Sequence, residues 1–189
     1  MMLTAPDAEQ LAQITRQLGR RPLRLAGTAL CCPAGHPAVV VTYPLQRRRG
    51  RLLPFPTTHW LTCPNLVRSI SQLERYGAIA RAQAWLAANP QRIEAMHHAH
   101  RRAAELRWQL LDEADRKLIA RHGLSAAFHE RGIGGIRNFN HVKCLHAHYA
   151  FHLLHPTPLG SWLAQQAELH PCSALEARRG DGVSARAGM

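Results

Sequence analysis

A mainly helical α+β fold, with about five to seven helices and one small antiparallel β-hairpin near the N-terminus, follows from three observations on the sequence. The β-branched and apolar residues crowd into one stretch, Leu23 to Leu45. Most of the remaining chain repeats its apolar positions every three or four residues. Proline, glycine and asparagine punctuate those repeats at helix-length intervals.

Asp7 to Leu18 places Leu11, Ile14 and Leu18 at helical spacing, with acidic residues in the first turn and Gly19 as a stop. The segments LRLAGTALCC and PAVVVTYPL then read as two antiparallel strands, because the intervening PAGH carries turn chemistry. Gln46 to Arg51 reads as an exposed basic loop, and the prolines of LLPFP forbid a central strand. A helix begins at Pro64, capped by Thr62 or Cys63, buries Leu66, Ile70 and Leu73, and ends at Gly77. Ile79 to Ala88, Gln91 to Leu111 and Asp112 to Arg121 continue the helical pattern. The last strong helix runs from about Asn140 to His155, where Pro156 and Pro158 break it, and Leu159 to Leu169 adds a turn or two.

At 189 residues the chain can bury a real core, which suits one domain over residues 1–170. Residues 171–189, rich in Ala, Arg, Gly and Ser, read as a disordered tail. No apolar run is long enough to span a bilayer, and the N-terminus lacks a basic-then-apolar leader, so neither a membrane nor a secretory role is expected. Five cysteines without a regular framework fit a reducing cytoplasm, as free thiols or metal ligands. A formal charge of +12 favours an anionic ligand or nucleic acid as partner. That signal is general, since all cations except Lys117 and Lys143 are arginine in an alanine-rich chain.

Within HVKCLHAHYAFHLLH, helical spacing puts His141, Cys144, His148, His152 and His155 on one stripe, with His146 pointing away. Pairs three or four residues apart can share a metal ion, while buried, hydrogen-bonded core histidines give the same pattern. One helix supplies two or three ligands at most, so Cys32, Cys63 and His100 are the residues to complete a site. Cys63 also stands at a helix N-terminus, where backbone N–H groups favour thiolate. With His59 it can form a nucleophile and base, or it can be a buried cap.

The glycines of GIGGIRNFNHVK precede a helix, so their amides can approach a phosphate beside Arg137 and Lys143, although a plain connector has the same composition. Arg47, Arg48, Arg49 and Arg51 can track a nucleic-acid backbone or simply face solvent.

Taken in order, CPAGHPAVVVTYPL, PFPTTHWLTCPNLVRSISQLE, GGI, VKCLHAHYAFHL and PLGSW resemble a bacterial family catalogued as domain of unknown function 501, from Leu18 to Trp162. The resemblance implies that Cys32, Cys63 and Cys144 belong to one shared site, and that Cys31 and Cys172 are incidental. It points also to His146, His148 and His100, and it brings no reaction. The combined reading is a cytoplasmic metal protein in which Cys32, Cys63, Cys144 and His148 meet, with His100, His141, His146 and His152 as additional site residues. Mixed Cys/His donors favour zinc over an iron–sulfur cluster. A polyanion-binding module, or a thiol enzyme acting on a small anion through Cys63, are the other readings.

Overall fold

In the computed structural model, which describes residues 2–167 and 169–172, helix α1 (Ala8–Leu18) leads into strands β1 (Leu25–Cys31) and β2 (Pro37–Thr42). The Asp7 carboxylate accepts the Gln10 amide at 2.8 Å to cap α1, and Gly19, at φ 67°, ends it. β1 and β2 pair antiparallel, as the strand-rich stretch predicts. β5 (His59–Leu61) adds to the far side of β2, so the order is β1-β2-β5 and every residue of β2 is buried.

The basic segment expected to be a loop is instead a hairpin, β3 (Leu45–Arg48) with β4 (Arg51–Pro54). Its turn residues Arg49 and Gly50 both have positive φ, 51° and 73°, matching the twist that short hairpins require. The arginines occupy its open side and tip, while Leu45 and Leu52 pack inward. Pro54 ends β4 on a strand with a single neighbour, where a missing N–H is tolerated.

Eight α-helices lie among the described residues. Those after β5 are α2 (Pro64–Arg75), α3 (Ala78–Ala87), α4 (Pro90–Gln109), α5 (Glu113–Arg121), α6 (Ala126–His129), α7 (Leu145–His152) and α8 (Pro158–Gln166). The helix beyond the expected number is α6, a single turn. α2 begins at Pro64 with Cys63 at the cap position, and Asn89 caps α4 by accepting the Gln91 and Arg92 amides.

α7 is much shorter than the predicted Asn140–His155 helix. The Asn138 side chain accepts the Asn140 amide at 3.0 Å, and the Val142 amide donates to Gln83 Oε1 on α3 at 2.8 Å. Those amides are therefore taken by side chains, and Cys144 is extended at the N-cap. His141 is exposed ahead of the helix.

The main core fills the space between the three-stranded sheet and α2, α3, α4, α7 and α8. A second cluster, Leu45, Leu111, Ile119 and Phe128, joins the β3–β4 hairpin to α5 and α6. Among the described residues no helix is long and apolar enough to cross a membrane. The tail expected from Pro171 onward falls, from residue 173, outside the described residues.

Candidate metal centre

α7 packs with one side on α2 and the other toward β5 and the loop before it, so neighbouring side chains enter different surroundings. At its N-terminus Cys144 turns toward α2. Glu74, in the last turn of α2, reaches back and accepts the Leu145 amide at 2.7 Å, which satisfies one of the free N–H groups of the helix start. The same Glu74 Oε1 lies 3.3 Å from His146 Nδ1. Ligand atoms of Glu74, Cys144 and His146 all lie within 4.8 Å of one another, the one such set of three among the described residues. The three side chains are partly open to solvent.

The other ring nitrogen of His146, Nε2, lies 3.2 Å from the Val67 carbonyl and 3.1 Å from Ser71 Oγ. A carbonyl can only accept, so Nε2 donates its hydrogen there and Nδ1 presents a lone pair toward a carboxylate and a thiol. Two electron-rich groups facing each other at this distance require a proton or a metal cation between them. The electrostatics follow that demand. The hydrogen bond to Cys144, with help from Glu74, raises the His146 pKa against the effect of burial. Burial pushes the Cys144 thiol up, but hydrogen bonds from His146 and the Ala147 amide outweigh it, and the net direction is down.

Two residues further along α7, His148 is fully buried, and neither of its ring nitrogens has a hydrogen-bond partner among the described residues. Burial alone lowers its pKa to about 4. Its ring meets that of His100 edge-on, with centroids 5.5 Å apart. His100 accepts the Ile133 amide at Nδ1, 3.1 Å, and burial brings its pKa down to about 3. A Cβ on Gly132 would sit 2.6 Å from that nitrogen, so this loop must approach the ring with a glycine. His59, also held near 4 by burial, lies 3.0 Å from Thr58 Oγ1 through Nδ1 and leaves Nε2 without a partner. His152 accepts the Thr157 amide at 2.9 Å and locks the turn into α8.

Beside this histidine group, Arg107 is completely buried, with no carboxylate partner among the described residues. Its guanidinium donates to the carbonyls of Pro56, Phe128, Arg131 and Gly132 at 2.7 to 3.1 Å. It walls, with His59, Ala147 and Phe151, a cavity of about 10 Å³, room for about one water.

Cys32 and Cys63 lie in the main core, with Cys172 against Cys63. Cys63 caps one end of α2 and Glu74 stands near the other, which separates them by roughly 16 Å along the axis. The sequence-derived set is thus dispersed: Cys32 and Cys63 lie in the main core, Cys144 meets His146, His148 meets His100, His152 holds the turn into α8, and His141 is exposed. Arg137 and Lys143 are exposed. Arg47 is committed to Asp115 at 2.6 Å, leaving Arg48, Arg49 and Arg51 at the hairpin tip.

The model of a family described as protein of unknown function, DUF501, matches residues 28–165. The chain belongs to the DUF501 family. No curated protein and no solved structure matches it. The stretch shared with DUF501 runs from β1 into α8 and holds Glu74, Cys144, His146 and the buried histidines, whereas Cys172 lies beyond it. Sequence reasoning missed Glu74 and Cys172 because each meets its partner across a long stretch of chain, 71 residues from Glu74 to Leu145 and 109 from Cys63 to Cys172.

Proposed function

We propose that this DUF501 chain is a zinc-binding protein whose centre is Cys144, His146 and Glu74. The observation that carries the reading is the orientation of His146, with Nε2–H on the Val67 carbonyl and Nδ1 turned to the thiol and carboxylate. A metal-bound histidine commonly donates its second N–H to a carbonyl in this way. One thiolate, one imidazole and one carboxylate suit zinc, whereas an iron–sulfur cluster draws mainly on thiolates. Three protein ligands leave a fourth position for water or substrate, the arrangement of zinc sites that activate water. Metal binding displaces the Cys144 proton, and Glu74 is already oriented by the Leu145 amide.

Zinc competition against a chromophoric chelator, using the full chain, tests this. Expected is one zinc per chain, with affinity falling about 10- to 100-fold or more in Cys144→Ser, His146→Ala and Glu74→Gln, and little changed in Cys63→Ser. Absence of stoichiometric zinc, or loss of binding in Cys63→Ser alone, overturns the centre.

A second reading rests on the same contact. Cys144 stands at a helix N-terminus with His146 beside it and the Val67 carbonyl holding the imidazole through Nε2, the order of groups in a thiol nucleophile. In metal-free protein this reading requires Cys144 to alkylate faster than the exposed Cys31, and His146→Ala to erase the difference. Equal rates sink it.

A further inference from the structure

A pair of thiols lies at the opposite end of α2. Cys63 Sγ and Cys172 Sγ are 3.2 Å apart, both buried, and the Cys172 amide donates to Cys63 Sγ at 3.3 Å. The amide contact fixes which way the two side chains face. Zinc thiolates, with metal–sulfur bonds of about 2.3 Å, place tetrahedral sulfur pairs roughly 3.7 Å apart. The observed separation is inside that value, so this pair is nearer to bonding to itself than to sharing an ion.

From this geometry we infer that Cys63 and Cys172 are a reversible disulfide pair, which on oxidation by a peroxide ties the segment after α8 to the start of α2. Leu169, Pro171 and Cys172 already pack on the core. Leu169 and Pro171 close a cavity of about 130 Å³ whose other walls include Cys32, Leu66, Tyr149 and Leu153.

The Cys63 sulfur attacks one peroxide oxygen. The O–O bond breaks, Cys63 becomes a sulfenic acid, and one water leaves. Cys172 sulfur then displaces the sulfenic oxygen, giving up its own proton, so that an S–S bond forms and a second water leaves. Two electrons and two protons pass from the pair to one peroxide. The order of roles follows from the surroundings. The Cys172 amide donates to Cys63 Sγ, while burial, against a backbone hydrogen bond at Asn65 and aided by contact with Cys63, pushes the Cys172 thiol up to about 12.

Reduced full-length protein, exposed to a few-fold excess of hydrogen peroxide and then alkylated in denaturant, gives the test. Two of the five thiols should be lost, peptide mapping should join Cys63 to Cys172, and dithiothreitol should reverse both. Cys172→Ser should yield no cross-link and a dimedone adduct at Cys63. Limited proteolysis after α8 should leave the fragment bearing Cys172 attached in oxidised protein and free in reduced protein. A cross-link between other cysteines, or complete alkylation of Cys63 and Cys172 after peroxide, overturns the inference. Cys144→Ser should lose zinc and keep the cross-link, so this pair and the zinc centre fail separately.

Discussion

His146 and His148 stand two residues apart on one short helix and are held under opposite conditions. His146 faces α2, half-open to water, with a carboxylate, a thiol and a carbonyl around it, and its pKa is raised. His148 faces the core, touches the ring of His100, has no hydrogen-bond partner among the described residues, and its pKa is lowered. The contrast teaches that residue type and helical stripe do not define a site. What decides is whether each ring nitrogen is met by a group that stabilises charge.

The strongest way to break the comparison is at Arg107, which builds the buried side. Arg107→Met takes a donor from four carbonyls, of which Gly132 keeps the Gly135 amide, so three are left unpaired at about 1–3 kcal/mol each, and a loss of about 3 kcal/mol or more, or failure to fold, is expected in urea unfolding. Arg107→Lys should not restore it, since an ammonium cannot span four carbonyls in one plane. A loss under 1 kcal/mol would mean that this face is held by other contacts.

Acid should act next most strongly, and with opposite sign on the two faces. His59, His100 and His148 are depressed to about 4, 3 and 4, whereas an unfolded chain keeps imidazole near 6.5. The unfolded state therefore takes up protons first. Stability from these residues is whole above about pH 6.5 and falls as pH drops toward their folded values, by on the order of 2 kcal/mol per histidine between pH 7 and 5. His146 works the other way: its raised pKa gives stability that is full below the unfolded value and lost as pH rises through the folded one. Denaturant midpoints at constant m-value, measured from pH 7 to 5 without zinc, should fall steeply. A flat profile would remove the buried-neutral assignment.

His148→Leu sharpens the same point with a smaller effect at neutral pH. Exchanging an unpartnered buried imidazole for an apolar side chain should change stability at pH 7 by no more than about 1 kcal/mol, or raise it, while reducing the acid slope. Loss of several kcal/mol at pH 7 would reveal that both nitrogens are bonded. Glu74→Gln should be the mildest, within about 1 kcal/mol in thermal unfolding, because the amide oxygen still accepts from Leu145. Its consequence belongs to zinc affinity.

Elements carried by neighbouring residues were legible in the sequence. The β1–β2 hairpin, the start of α2 at Pro64 and the stop of α1 at Gly19 rest on signals a few residues wide. The β3–β4 hairpin was hidden by its arginines, whose charge masked the inward spacing of Leu45 and Leu52. The histidine stripe assumed that α7 begins near Asn140. With the start at Leu145, Cys144 becomes a cap and leaves the line of His148 and His152. The partners of both thiol groups come from distant segments, and a local pattern holds no record of which helix end will arrive beside which residue.

The separate cluster of Leu45, Leu111, Ile119 and Phe128 should give the molecule two tiers of cooperativity, which native-state hydrogen exchange would reveal. The hairpin, α5 and α6 can part from their own small core while β2, α7 and α8 stay closed, and their amide hydrogens should then exchange by partial opening. The arginine-bearing tip should then exchange in the quicker tier, and the helix ends carrying Glu74, Cys144 and His146 in the slower one.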